Sequence, residues 1–346
     1  MKLLVCLDDG EQSRSILPVA RRFACTMGAE VEMVRVIDPR GSHSTKRRVL
    51  VPDPYPGIDL AQRGRMLEQQ VVEDQGRAFA GFEARTADDL SEALAGFPPG
   101  SGRVILHGED PAKKIVHYVE GQGIDVVAMA THSRRRVAGL IWGSTTTAVI
   151  ASGVAPVLVV HGALPNGSAM SRMMVCLDGS PLSTSVLPLA QRLANRSGVA
   201  AHLVHVVDVS GAKEVASQRA RGEPPMVDPS GGLLDRRAPG ARVGEGRGAT
   251  ATLVETRSEA IDRLEYGVQE TLTSEQSGFP SGSTSVVLHG RNAAAEILRY
   301  ARVHEIGLIV MATHARRGFR RVVVGSAAEA VIRAGVAPVL VWHPRS

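Results

Sequence analysis

Hydrophobic and polar positions follow two alternating periods along the chain. Lys2–Leu7 is a short apolar run closed by the turn formers Asp8-Asp9-Gly10, the pattern of a buried strand. From Ser13 to Ala24, residues Ile16, Leu17, Ala20 and Phe23 recur at three- and four-residue spacing, the apolar stripe of a helix. Pro18 lies inside that stripe. Its missing N–H and its ring predict a helix that starts late or kinks there. Val31–Ile37, Val104–His107, Val126–Ala130 and Val157–Val160 read as further strands, with helices expected at Leu60–Leu94, Pro111–Glu120 and Ser144–Ala151. The order βαβαβαβαβ predicts a parallel sheet with helices on both faces.

The pattern then repeats. Residues 1–38 set against 171–208 give 15 identities in 38, and residues 104–160 set against 286–342 give 26 in 57. Val5-Cys6-Leu7-Asp8 returns as Val175-Cys176-Leu177-Asp178, and Met129-Ala130-Thr131-His132 as Met311-Ala312-Thr313-His314. The chain is a domain written twice, with domains expected at 1–163 and 172–346 and a linker at 164–171. The offset grows from 170 to 182, so the second copy carries twelve more residues in its middle. The stretch at about 210–248, rich in Gly, Pro and Arg, has no apolar periodicity and reads as a mobile insertion.

Composition narrows the setting. The chain has 346 residues, is 44% hydrophobic and 22% charged, enough to build a core in each half. No apolar run approaches the roughly 18–20 residues of a membrane span, and the first residues lack the pattern of a signal peptide. Three cysteines make no even disulfide set and no CxxC pair, so a reducing cytoplasm is the expected home, with all three as inert core residues. The net charge of +5 permits phosphate partners, while 3% aromatics and the absence of a reading motif disfavour nucleic acid.

In an open parallel sheet, ligands bind beyond the carboxyl ends of the strands where the strand order reverses. Asp8 and Asp178 end the first strand of each copy; a carboxylate there can serve a ligand or simply make a turn. The fourth strand ends at Ala130-Thr131-His132-Ser133, and nine residues later Gly143-Ser144 opens a helix; the second copy has Ala312, Ala315, then Gly325-Ser326. The free N–H groups of such a helix start, with a serine hydroxyl, can hold a phosphate. Arg134–Arg136 and Arg316-Arg317 follow and could neutralise it or form a solvated face. His132 and His314 lack partners at metal-ligand spacing, and no metal or catalytic set emerges.

These residues resemble the universal stress protein family, whose nucleotide-binding members carry G-x2-G-x9-G-[ST] after the fourth strand. The Asp178-Gly179-Ser180 turn, His205-Val206-Val207-Asp208, His107-Gly108 with His289-Gly290, and the last strand Ala155–Val160 are similar too. The resemblance covers nearly all of both copies. It implies an α/β fold of two tandem Rossmann-like, adenine nucleotide α-hydrolase-like domains, each a five-stranded parallel sheet of order 3-2-1-4-5. It also implies ATP or another adenine nucleotide, which Mg²⁺ could accompany. By position, Asp8 and Asp178 would face the ribose or adenine, and the backbone of Val36 and Val206 the adenine. Ala130, Ser133, Gly143 and Ser144, with Ala312, Ala315, Gly325 and Ser326, would cradle the phosphates. The two leading glycines of the motif are Ala130 and Ser133 in one copy and Ala312 and Ala315 in the other; a Cβ penalises positive φ and takes up space.

The expected function is a cytoplasmic stress-response regulator that binds an adenine nucleotide in one or both copies and acts on an unidentified regulatory protein partner. The alternatives are a nucleotide-free structural module and a slow ATPase. The apolar last strands would pair with each other as an internal pseudo-dimer, and two chains could associate further.

Overall fold

The computed structural model describes residues 1–38, 60–131, 143–162, 170–207, 257–313 and 325–344, with side chains except those of 60–72, 74–75 and 257–264. In the first half, strands β1 (Lys2–Cys6), β2 (Glu30–Ile37), β3 (Gly102–His107), β4 (Val126–Thr131) and β5 (Val157–His161) alternate with helices. These are α1 (Leu17–Met27), α2 (Leu60–Ala93), α3 (Pro111–Gln122) and α4 (Ser144–Ser152). The second half repeats the series with β6 (Arg172–Leu177), β7 (Ala200–Val207), β8 (Thr284–His289), β9 (Leu308–Ala312) and β10 (Val339–Trp342). Its helices are α5 (Pro181–Thr184), α6 (Leu187–Ser197), α7 (Arg257–Gln276), α8 (Ala293–Val303) and α9 (Ser326–Arg333).

The strands form one sheet in the order β3-β2-β1-β4-β5-β10-β9-β6-β7-β8. Each half thus has the order 3-2-1-4-5. Pairing is parallel within each half and antiparallel where β5 meets β10, with Leu158 opposite Leu340. The two edges that could have invited aggregation close on each other.

Both faces of the sheet are covered, which is why the strands are nearly continuous apolar runs. Successive residues of β1 point to opposite faces. Leu3 and Val5 enter a core with Phe23 and Met27 of α1, whereas Leu4 and Cys6 enter one with Ile115 and Val119 of α3. Each core crosses the seam: Leu158 and Leu340 belong to the first, Val159 and Val339 to the second.

Pro18 has the effect expected of it. A 3₁₀ turn over Glu11–Ile16 precedes α1, and the proline sits in the first turn of that helix, where its missing N–H costs nothing. Gly28 ends α1 in the left-handed conformation at φ 53°. One expectation fails: Cys6 and Cys176 are buried, but Cys25 is exposed. The buried stripe of α1 is Ala20, Phe23, Ala24 and Met27, and Cys25, one residue past Ala24, turns about 100° out of it. Among the described residues, no helix is long and apolar enough to cross a membrane. Ser133, Ala315, His132, His314, the arginines that follow them, the 210–248 insertion and residues 164–169 of the linker lie outside the described residues.

Candidate functional site

The strand order of the first half reverses between β1 and β4, and a cavity of about 260 Å³ opens at their carboxyl ends. Asp8, Val36, Ala130, Gly143 and Ser144 all line it. It lies a little below the ~300–1,000 Å³ of typical ligand pockets. Its apolar floor is made by Val34 of β2, Met129 of β4 and Ile115 of α3.

The turn after β1 is fixed by its own side chains. Asp8 Oδ1 accepts the Gly10 N–H at 2.8 Å, and the buried Ser13 hydroxyl reaches the carbonyls of Gly10 at 2.7 Å and Asp8 at 3.1 Å. On the opposite face of β2, the buried Arg35 ion-pairs with Asp9 at 3.4 Å and with Asp89 of α2, which also holds Arg14. Asp89 thereby ties the turn that presents Asp8 to the strand that presents Val36. The Arg35 Nε is buried without a hydrogen-bond acceptor, so the arginine leans on these carboxylates for its compensation.

The other wall is the start of α4. Helices α3, α5 and α8 are capped by the side chains of Asp110, Ser180 and Asn292. By contrast, α4 begins on Gly143 and α9 on Gly325, neither with a side-chain cap. The first-turn amides of a helix have no intrahelical acceptor, so at α4 they face the cavity with the hydroxyls of Ser144, Thr145 and Thr146 beside them. Backbone conformation does not call for the glycine, since its φ of −57° suits any residue. Ala130 does not carry the strain that its place in the motif suggests: it lies within β4, and Glu305 is the one non-glycine residue with positive φ among those described.

The second half places Asp178 after β6, Val206 on β7, Ala312 at the end of β9, and Gly325 and Ser326 at the start of α9. Here the copies diverge. The Thr313 hydroxyl accepts the Gly325 N–H at 3.0 Å, whereas the matching Thr131 hydroxyl turns to His161. The threonines that follow Ser144 become Ala327, Ala328 and Glu329, and Glu329 pairs with Arg333. Asp178 Oδ1 accepts from both the N–H and the hydroxyl of Ser180, at 2.9 and 2.6 Å. At the position of Arg35 stands His205, whose pKa burial pushes down while the charge of Asp178 pushes it up.

Sequence reasoning missed Ser13, Thr145 and Thr146. The run Ser144-Thr145-Thr146-Thr147 at a helix start was the available signal, because hydroxyls are poor helix formers that suit a first turn. His107 and His289, which end β3 and β8, pair with Glu83 of α2 and Glu265 of α7.

Fold and crevice together define a tandem pair of open α/β, Rossmann-like domains fused through their last strands. Both halves match the model of the universal stress protein family, over residues 1–161 and 170–343, and the chain belongs to that family. Among solved structures it is similar to a universal stress protein from Archaeoglobus fulgidus, at TM-score 0.56 and 16% identity over 99% of this chain and 98% of that one. It is also similar to a putative universal stress protein from Pseudomonas aeruginosa, at TM-score 0.51 and 14% identity over 99% and 93%. At these identities the likeness shows the fold. No curated protein matches the chain.

Proposed function

We propose that the chain is a stress-response regulator working in the cytoplasm, and that it binds an adenine nucleotide such as ATP in its first half only. The observation that carries this is the uncapped, hydroxyl-lined start of α4 facing a cavity at the β1–β4 switch point. The base would lie along Val34 and Val36, the ribose near Asp8, and the phosphates against Gly143–Thr146. An anion is favoured there by the open amides and by the helix dipole. Mg²⁺ would arrive with the phosphates.

The second half serves as a nucleotide-free structural partner. Its Gly325 amide is already bonded, and the hydroxyls of its helix start are reduced to Ser326. Its occupancy-independent surface would face the regulatory partner.

Isothermal titration with ATP, ADP and AMP tests this, with one site per chain expected. No heat and no thermal shift at millimolar nucleotide refutes nucleotide binding; two equivalent sites refute the division of labour.

A further inference from the structure

A larger cleft, of about 500 Å³, lies between the two halves. The first half supplies residues that open its strands: Met1 ahead of β1, Asp125 and Val126 at β4, and Val154–Pro156 ahead of β5. The second half supplies Leu189, Arg192, Leu193 and Arg196 of α6, with Trp342 at the end of β10. Because β5 and β10 are antiparallel, the carboxyl end of β10 stands beside the amino end of β5. The cleft is therefore at the opposite end of β1 and β4 from the crevice at Asp8, about 20 Å away at the rise of a strand.

Its polar groups are held in place by different means. Arg196 crosses between the halves and donates to the carbonyls of Met27 and, at 3.1 Å, Gly28, capping the end of α1. Asp125 accepts the Lys2 N–H at 2.7 Å. Arg192 is exposed and forms no hydrogen bond or ion pair among the described residues. Trp342 is half-buried against the first core, with one part of the indole turned to the cleft.

The duplication supplies an internal control. Exchanging the halves would generate a twin cleft, in which Asp125, Arg196 and Trp342 correspond to Gly307, Thr26 and Val160; only Arg192 keeps a like counterpart, Arg22. A gap left by packing two similar domains needs no such difference. Here an indole, a second guanidinium and a carboxylate occur on one side alone.

We infer that this interdomain cleft is a binding site for a small aromatic monocarboxylate. Trp342 offers a flat face for an aromatic ring, and Leu189, Leu193 and Val154 close the ring in apolar surface. The unpartnered fork of Arg192 matches a carboxylate with two parallel hydrogen bonds. Two guanidiniums outnumber the one carboxylate, so the cleft favours an anion. Asp125 repels a dianion, so a phosphate monoester is selected against. Pockets at domain interfaces are common ligand sites, and this one has the volume for a two-ring acid.

The test is titration of the full chain with 2-naphthoate, followed by heat and, in a Trp142→Phe background that leaves Trp342 as the single indole, by fluorescence. One saturable site per chain is expected, with binding weakened at least tenfold by Arg192→Gln and by Trp342→Val, the residue of the twin position. The neutral 2-naphthylmethanol and the dianionic 2-naphthyl phosphate should each bind at least tenfold more weakly, and Asp125→Asn should narrow the phosphate's deficit. Gly143→Val and saturating ATP should leave 2-naphthoate binding unchanged, which separates this site from the proposed nucleotide site. Arg192 is exposed, so its substitution should not move the melting temperature. No saturation at millimolar 2-naphthoate overturns the inference, as does an unchanged affinity in Arg192→Gln, equal binding of the alcohol, or displacement by ATP.

Discussion

Replacement of Gly143 by alanine separates fold from site more cleanly than any other change in the crevice. The backbone there has φ −57° and ψ 140°, which alanine adopts without strain. A Cβ at this position meets nothing closer than Thr146 Oγ1 at 4.0 Å, an ordinary contact. Two small effects on stability oppose each other. Alanine is a poorer N-cap than glycine, by about 0.5 kcal/mol, while the unfolded chain loses freedom worth about 0.4–1 kcal/mol in the other direction. The melting temperature of Gly143→Ala should therefore stay within a few degrees of the parent. Binding should not. The new methyl occupies the open space in front of the first turn of α4, where a phosphate oxygen must come within hydrogen-bonding distance of the amides. Loss of one charge-assisted hydrogen bond costs about 1.5–3 kcal/mol, which at ~1.4 kcal/mol per decade is a 10- to 100-fold rise in the dissociation constant for ATP. Titration calorimetry reads it directly. Gly325→Ala is the matched control, with φ −53° and its nearest contact, Thr313 Oγ1, at 3.9 Å; it should leave affinity unchanged. Wild-type affinity in Gly143→Ala, or a larger loss in Gly325→Ala, would refute the placement of the phosphates.

Other expectations are as direct. Asp89→Asn leaves the buried Arg35 with the exposed Asp9, at 3.4 Å, as its one ion-pair partner among the described residues, so urea unfolding should show a loss of about 1–3 kcal/mol; a change below ~0.5 kcal/mol would mean that water already compensates the guanidinium. Burial pushes His202 below its ordinary 6.5, with the charges of His304 and Arg172 adding to the shift, and burial pushes His205 down against the pull of Asp178. The unfolded chain thus binds more protons, so stability is complete above about pH 6.5 and falls as the pH drops through that value toward the folded pKa. Urea midpoints at pH 7.5 and 5.5 should differ less in His202→Gln/His205→Gln, and an equal fall would clear both residues. In the native state one thiol, Cys25, should react rapidly with a disulfide reagent; burial raises the pKa of Cys6, and that of Cys176 to about 12. Three fast thiols would show that the cores open. Finally, Ala327→Thr/Ala328→Thr/Glu329→Thr should restore hydroxyls and remove the acid at α9, and calorimetry should then find a second, weaker nucleotide site; a stoichiometry that stays at one would show that the Thr313 bond to Gly325 is the dominant block.

Much of the architecture was legible because its determinants are local. The buried runs of β1 and β4, the proline at the start of α1 and the glycine that ends it each act over a few residues, and the repeat doubled every such signal. The switch-point rule pointed to Asp8 and to Gly143-Ser144, and the family resemblance added the strand order, Val36 and Ala130; all five line one cavity. What stayed hidden depends on distance in sequence. Nothing near Arg35 announces Asp89, because the pair is made by packing α2 on β2. Cys25 was misplaced because an apolar neighbourhood in sequence spans every direction around a helix, and only the phase of the stripe tells inside from outside. The interdomain cleft joins the amino ends of one half's strands to a helix of the other, and no motif marks such a surface.

Fusion of the two copies explains why their sites could part. In a symmetric homodimer every substitution appears twice, so a change that spoils one crevice spoils both. A single chain closed through β5 and β10 keeps the two-fold architecture but frees each half to change alone. The strand pairing at the seam is made by apolar residues that both halves retain, Val157–Val159 against Val339–Val341. The positions outside those paired residues are unconstrained by symmetry, and they are where the halves differ: Thr145–Thr147 against Ala327–Glu329, Arg35 against His205, Val160 against Trp342. One half could keep a cradle for an anion while the other gave it up and contributed an arginine and an indole to the surface between them. The retained symmetry is that of packing, and the lost symmetry is that of chemistry.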